Sequence, residues 1–108
     1  MHNQISESDW KLLRRLVPIA LDRFCQAVLS EVALLASGSA QDSHAKYLKL
    51  FKLIEARDEE LGEAFNDMKR SMGYVKLAHL RSCGLITDQE FADFSEQTRG
   101  AVALFQGR

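Results

Sequence analysis

At 108 residues the chain fits a single domain, residues 1–108, large enough for an ordinary core but close to the size at which a second copy often completes it. Its 14 Lys and Arg stand against 15 Asp and Glu, and a net charge of -1 gives no global field to draw it onto nucleic acid or anionic lipid. With 46% hydrophobic and 27% charged residues it has the composition of a folded chain, and no apolar run reaches the ~20 residues of a membrane span, because Asp22, Arg23 and Glu31 interrupt the most hydrophobic stretch.

The opening residues 1–7 carry neither the basic nor the apolar region of a secretory signal, so the expected location is the cytoplasm. Cys25 and Cys83 are too few and too far apart for a disulfide framework and read as free thiols. The first helix should begin at Ser6 or Ser8, where Ser6 followed by Asp9 resembles a capping box, and run to about Ala36. Trp10, Leu13, Val17, Ala20, Leu21, Phe24, Ala27, Val28 and Leu35 form one stripe on it, widened by Leu29 and Val32, while Leu12, Leu16 and Ile19 give it a second apolar side. Pro18 is its only interior breaker and is expected to kink it.

Ser37–Asp42 is a short polar bend, capped into the next helix by Asp42 or Ser43, and its length forces an antiparallel hairpin. With the bend taken over Ser39–Asp42, residues at equal heights would pair Glu31 with Lys49, Arg23 with Asp58 and Glu59, Arg15 with Asp67, and Asp9 with Lys69 and Arg70. From Ser43 to Gly84 the residues Tyr47, Leu50, Ile54, Leu61, Ala64, Met68, Val75 and Ala78 keep one apolar phase, which predicts a second helix of about 40 residues, roughly 60 Å long if unbroken. Gly62 and Gly73 are its weak points, and a break near Ser71–Gly73 makes it two helices.

Cys83-Gly84-Leu85 reads as a Schellman stop, and Thr87-Asp88-Gln89-Glu90 as a capping box opening a third helix with Phe91, Phe94, Thr98, Ala101, Val102 and Phe105 inward. The segment Leu77–Phe91, with Leu80, Gly84-Leu85-Ile86-Thr87 and Glu90, resembles the helical hairpin of short C-terminal oligomerisation modules of the SHOCT type. The chain departs from that pattern beyond Phe91, where it reads Ala92-Asp93-Phe94-Ser95. The expected fold is all-α, an antiparallel helical bundle of three long helices, or four if the second breaks near Gly73.

No constellation for catalysis, metal or cofactor stands out. His79 and Cys83 share a helical face at i and i+4, but two ligands fall short of a zinc site, and His2 and His44 are far away in sequence. Cys25 lies beside an apolar stripe, where a thiol is inert. Glu55, Asp58, Glu59, Glu60 and Glu63 crowd one stretch of the second helix as a solvated face. Arg57 and Asp58 interrupt its apolar stripe and are candidates for a polar layer that sets register or partner choice.

Trp10, Phe51, Phe65, Met68 and Met72 are the candidate apolar seam, and with Tyr74 they could alternatively line a small-molecule cavity. Lys46, Lys49 and Lys52 form a ridge and are the best nucleic-acid contacts on offer, although the acidic residues Asp88, Glu90, Asp93 and Glu96 of the third helix argue against a helix-turn-helix reader. The sequence thus points to a non-enzymatic interaction or regulatory protein that pairs with itself as a homodimer, burying more than ~1,200 Å² in total, or with a helix of another protein. A ligand-binding bundle and a DNA-binding regulator are the alternatives.

Overall fold

The computed structural model describes residues 4–39 and 42–106, and among these it contains helices and no strand. In chain order they are α1 (Glu7–Ser37), α2 (Ser43–Phe65), a 3-10 turn (Arg70–Met72), α3 (Gly73–Ser82), α4 (Asp88–Ala92) and α5 (Glu96–Gln106). The all-α fold expected from the sequence is present, built from five shorter and longer helices instead of three long ones.

Local capping chemistry sets most of the boundaries. The Ser6 hydroxyl accepts from the Asp9 N–H at 3.2 Å to start α1, and the Asp42 carboxylate accepts from the Ala45 N–H at 2.7 Å to start α2. At the far end of α3, Gly84 adopts φ 75°, and the Leu85 and Gly84 N–H groups bond to the Leu80 and Arg81 carbonyls, both at 3.0 Å, which is the Schellman arrangement. Thr87 and Glu90 then form a reciprocal capping box for α4. Helix α1 continues through Pro18 as one 31-residue element, with Leu16 and Ala20 buried on either side of the proline. Residues 40 and 41 of the bend lie outside the described residues, as do residues 1–3.

The second helix is not the expected rod. It ends at Phe65, upstream of the break considered at Ser71–Gly73, and Asp67 turns the chain with φ 57°, a left-handed conformation that Asn and Asp tolerate better than most residues. Helix α3 then folds back so that the buried Lys76 donates to the Glu63 carbonyl at 2.9 Å, placing a cation at the negative end of α2. The apolar phase runs unbroken across this reversal because Ala64 and Ala78, one on each helix, enter the same core. The third helix also divides, between Ala92 and Glu96, where Phe94 drops into the core.

That core sits at one end of the molecule. Leu13, Leu16 and Ala20 of α1 meet Ala64, Leu77, Leu80, Leu85, Ile86, Phe94 and Val102 in a head built around the lower half of α1. Gly73 opens α3 directly against Ile5: a Cβ there would lie 2.6 Å from Ile5 Cγ2, so the absence of a side chain is what allows the N-terminal segment to close over the head. The molecule measures 58 × 27 × 24 Å, with a radius of gyration of 17.0 Å. A compact chain of this length has about 13 Å. The excess is the upper half of the α1–α2 hairpin, an arm that stands out from the head.

Long-range polar contacts fasten the head. The buried Asp9 carboxylate accepts from the Ser95 hydroxyl at 2.6 Å and the Thr98 hydroxyl at 2.5 Å. Burial pushes its pKa up, but these donors, the Ser95 N–H and Ser6 outweigh that and leave it below the usual value. Arg23 forks onto Glu90 at 2.8 and 2.9 Å and also donates to the Leu85 carbonyl at 2.9 Å. The Arg23 hydrogen bonds hold the Glu90 carboxyl down at about 2, helped by the Thr87 N–H.

Two outcomes follow from the head. Gly73→Ala should destabilise the fold by about 1–3 kcal/mol, despite alanine's better helix propensity, because Ile5 is fully buried and has no room to yield. Equal melting temperatures for variant and parent would contradict this. Since Glu90 and Asp9 are both depressed in the folded state, the stability they contribute is complete above the ordinary carboxylate range and is lost as pH falls from about 4.5 towards 2. Urea midpoints that stay level over that interval would show that neither fastener matters.

Candidate interaction surface

Between residues 21 and 63 no described residue is buried, although this stretch carries much of the chain's apolar character. The reason is geometric: beyond Ala20, α1 leaves the head, keeping only the Arg23 fork to Glu90 and the packing of Phe24, and from Cys25 on α2 alone covers it. Two helices in contact hide only the strip where they meet. In the arm that strip holds Leu35, Leu50 and Leu53, all half-buried. The flank stays open, with Leu29 65%, Tyr47 63%, Phe51 55% and Ile54 45% exposed.

On this flank a shallow depression of about 240 Å³ is lined by Phe24, Cys25, Val28 and Leu29 from α1 and by Ile54, Arg57, Asp58 and Leu61 from α2. At the root of the arm, the Phe24 and Phe65 rings meet edge to face at 6.3 Å and tie it to the head. Tyr47, Phe51, Ile54, Asp58 and Leu61 follow one another along α2 at alternating steps of four and three, the spacing of a helix–helix seam.

The two adjacent polar-layer residues part company here. Arg57 turns into the α1–α2 contact, donating to both Glu31 oxygens at 2.8 and 3.0 Å and to Glu60 at 2.9 Å. Its hydrogen bonds pull the Glu31 carboxyl below the usual range. Asp58 is exposed and lies on the open flank. The equal-height register expected from the bend, with Glu31 beside Lys49, does not form; Arg23 goes to Glu90, Asp9 to Ser95 and Thr98, and Arg70 to the Ile5 carbonyl. Side chains lean towards the N-terminus of their own helix, so in an antiparallel pair long residues meet when the α2 member is further from the bend than height alone implies.

The other candidate residues separate between head and arm. Trp10, Phe65 and Met68 pack against the head core, Met72 is half-buried in the 3-10 turn, Tyr74 is half-buried at the start of α3, and only Phe51 belongs to the arm. Lys46 donates to the Ala36 carbonyl at 3.2 Å, capping α1, while Lys49 and Lys52 are exposed on the side of α2 away from Phe51 and Ile54. Val75 and Phe105, expected inward, are exposed and with Leu104 form a shorter apolar strip between α3 and α5.

Both cysteines are free, and burial pushes the Cys83 thiol up, with the Glu60 carboxylate adding to the effect, which makes it a poor nucleophile. Among the described residues no three His, Cys, Asp or Glu side chains gather as a metal site, and no helix is long and apolar enough to cross a membrane. Leu29 and Cys25 were not singled out by sequence periodicity as surface residues; the four-and-three spacing of Tyr47, Phe51 and Ile54 was the available signal. No protein-family model, no curated protein and no solved structure matches the chain.

Arg57→Leu removes a pair whose partners, Glu31 and Glu60, are both accessible to water, so the released carboxylates are re-solvated. The change should leave the urea midpoint of the monomer fold nearly where it was while enlarging the apolar flank. A marked fall in the urea midpoint would mean that the pair holds the hairpin together.

Proposed function

We propose that this protein is a non-enzymatic interaction module whose α1–α2 arm pairs with the arm of a second copy, a regulatory or scaffolding role carried by helix packing. The observation that carries the reading is the open flank of Leu29, Tyr47, Phe51 and Ile54 on a hairpin with no buried residue among those described. Such a face of contiguous large side chains is what a partner covers in stable helical assemblies.

A second copy suits the surface by size. Leu21–Ala36 and Tyr47–Leu61 present two helices about 22 Å long and together about 20 Å wide. With side-chain relief this is roughly 700 Å² per copy, or about 1,400 Å² in total, within the range of specific protein interfaces. Stacking two such hairpins gives a four-helix bundle with an interior, which neither arm has alone. The depression on the flank is open and, at about 240 Å³, smaller than the ~300–1,000 Å³ of ligand pockets, which favours protein over small molecule. Lys49 and Lys52 stand near Glu55 and Glu59 without aromatic readers, which disfavours nucleic acid. Two free thiols accord with a reducing, cytoplasmic setting.

Sedimentation or light scattering at tens of micromolar should give roughly twice the 12.2 kDa of one chain. Phe51→Glu combined with Ile54→Glu should return the monomer mass with helix content unchanged, because both side chains are exposed in the single copy. A parent protein that stays monomeric at that concentration would sink the proposal.

A further inference from the structure

We infer that the two arms pair antiparallel, about a two-fold axis crossing α2 midway between Phe51 and Ile54, so that Tyr47 of each copy donates a hydrogen bond to Asp58 of the other. This rests on the reading of the arm as the self-association surface and adds its geometry. The seam Tyr47, Phe51, Ile54, Asp58, Leu61 holds a strict heptad rhythm, which lets one straight stripe of α2 lie along another helix. Two of its five members carry polar atoms, and these stand at equal steps on either side of the Phe51–Ile54 pair.

Neither polar group is committed to another described residue of its own chain. The side-chain hydrogen bonds that α2 and its cap make with described residues belong to Asp42, Lys46 and Arg57, and Asp58 forms no ion pair with a described residue. Covering the flank takes the Asp58 carboxylate out of water, where it needs a donor, and buries the ring of Tyr47, whose hydroxyl needs an acceptor. Each supplies what the other lacks.

The orientation follows from the alternatives. If the arms stacked tip to tip, α2 would lie on the partner's α1, and Asp58 would press on surface like that of Cys25, Val28 and Leu29, where the neighbouring cation, Arg57, is already held by Glu31 and Glu60. If the two α2 helices ran parallel in register, Asp58 would meet Asp58, a like-charge contact. The antiparallel pairing alone sets Tyr47 against Asp58 twice and Phe51 against Ile54 twice, with α1 adding Leu29, Val32 and Ala36 to close the second pair of helices.

A charge swap tests the pairing. Tyr47→Glu places two carboxylates together at each end of the seam and should weaken dimerisation at least ~10-fold; adding Asp58→Lys in the same chain should restore the dissociation constant to within about 3-fold of the parent. Both positions are exposed in the single copy, so circular dichroism should be unchanged throughout. Spin labels at Ser43, in a Cys25→Ser and Cys83→Ser background, should lie about 30 Å apart in the antiparallel dimer and under about 15 Å in a tip-to-tip one. A dimer with the short distance, or one that the second substitution fails to restore, overturns the antiparallel pairing and leaves self-association standing. A parent chain that remains monomeric overturns both.

Discussion

Two helices in contact can each hide one strip, and the third and fourth sides of the pair must be covered by something else. This constraint organises the molecule. Around the lower half of α1, the end of α2 and then α3, α4 and α5 supply the missing walls, and Leu13, Leu16 and Ala20 are buried there. Above Ala20 only Arg23 and Phe24 still reach those walls, while α1 runs on to Ser37. The arm is therefore a hairpin with a contact strip and no interior, and its exposed leucines and aromatics are the direct result of a helix longer than the head that encloses it.

The head owes its closure to charges used against helix ends. Arg23 meets the Leu85 carbonyl, Lys76 the Glu63 carbonyl, Arg70 the Ile5 carbonyl and Arg99 the Phe94 carbonyl, all at 2.9–3.0 Å. Backbone oxygens left unpaired at a helix C-terminus, or in the segments that lead into a helix, are natural partners for cations. Asp9 does the complementary work at the start of α5, accepting from the Ser95 N–H and two hydroxyls. A head fastened at so many chain ends holds the root of the arm, through Arg23 and the Phe24–Phe65 contact, in one orientation. Rigid presentation would limit the ordering that the proposed pairing requires.

What the sequence made legible was the chemistry that acts within a few residues. Ser6, Asp42, Gly84 and the Thr87–Glu90 box were readable because a cap is a local bond. The turn at Asn66–Asp67 was not, since a chain that doubles back onto the same core keeps its apolar phase, and periodicity has no sign for direction. The register of the hairpin was misjudged for a related reason: equal heights describe backbones, whereas Arg57 and Glu31 meet by leaning along their helices. At the surface, the stripe of Tyr47, Phe51 and Ile54 was visible as a stripe, but a pattern of apolar residues does not say whether the chain itself or a second one covers it.

Arg57 and Asp58 show how finely that division is drawn. One residue of helix separates them, a rotation of about 100°, and it carries Arg57 into the seam with α1 and Asp58 onto the open flank. An uninterrupted apolar flank would be sticky in every register, since leucine and phenylalanine accept most neighbours. A single carboxylate within it makes each unsuitable partner leave a desolvated charge, and so penalises the wrong arrangements more than the right one. The residue that weakens the surface is in this sense the one able to make it specific, and its value depends on Tyr47 standing where a symmetric partner can answer it.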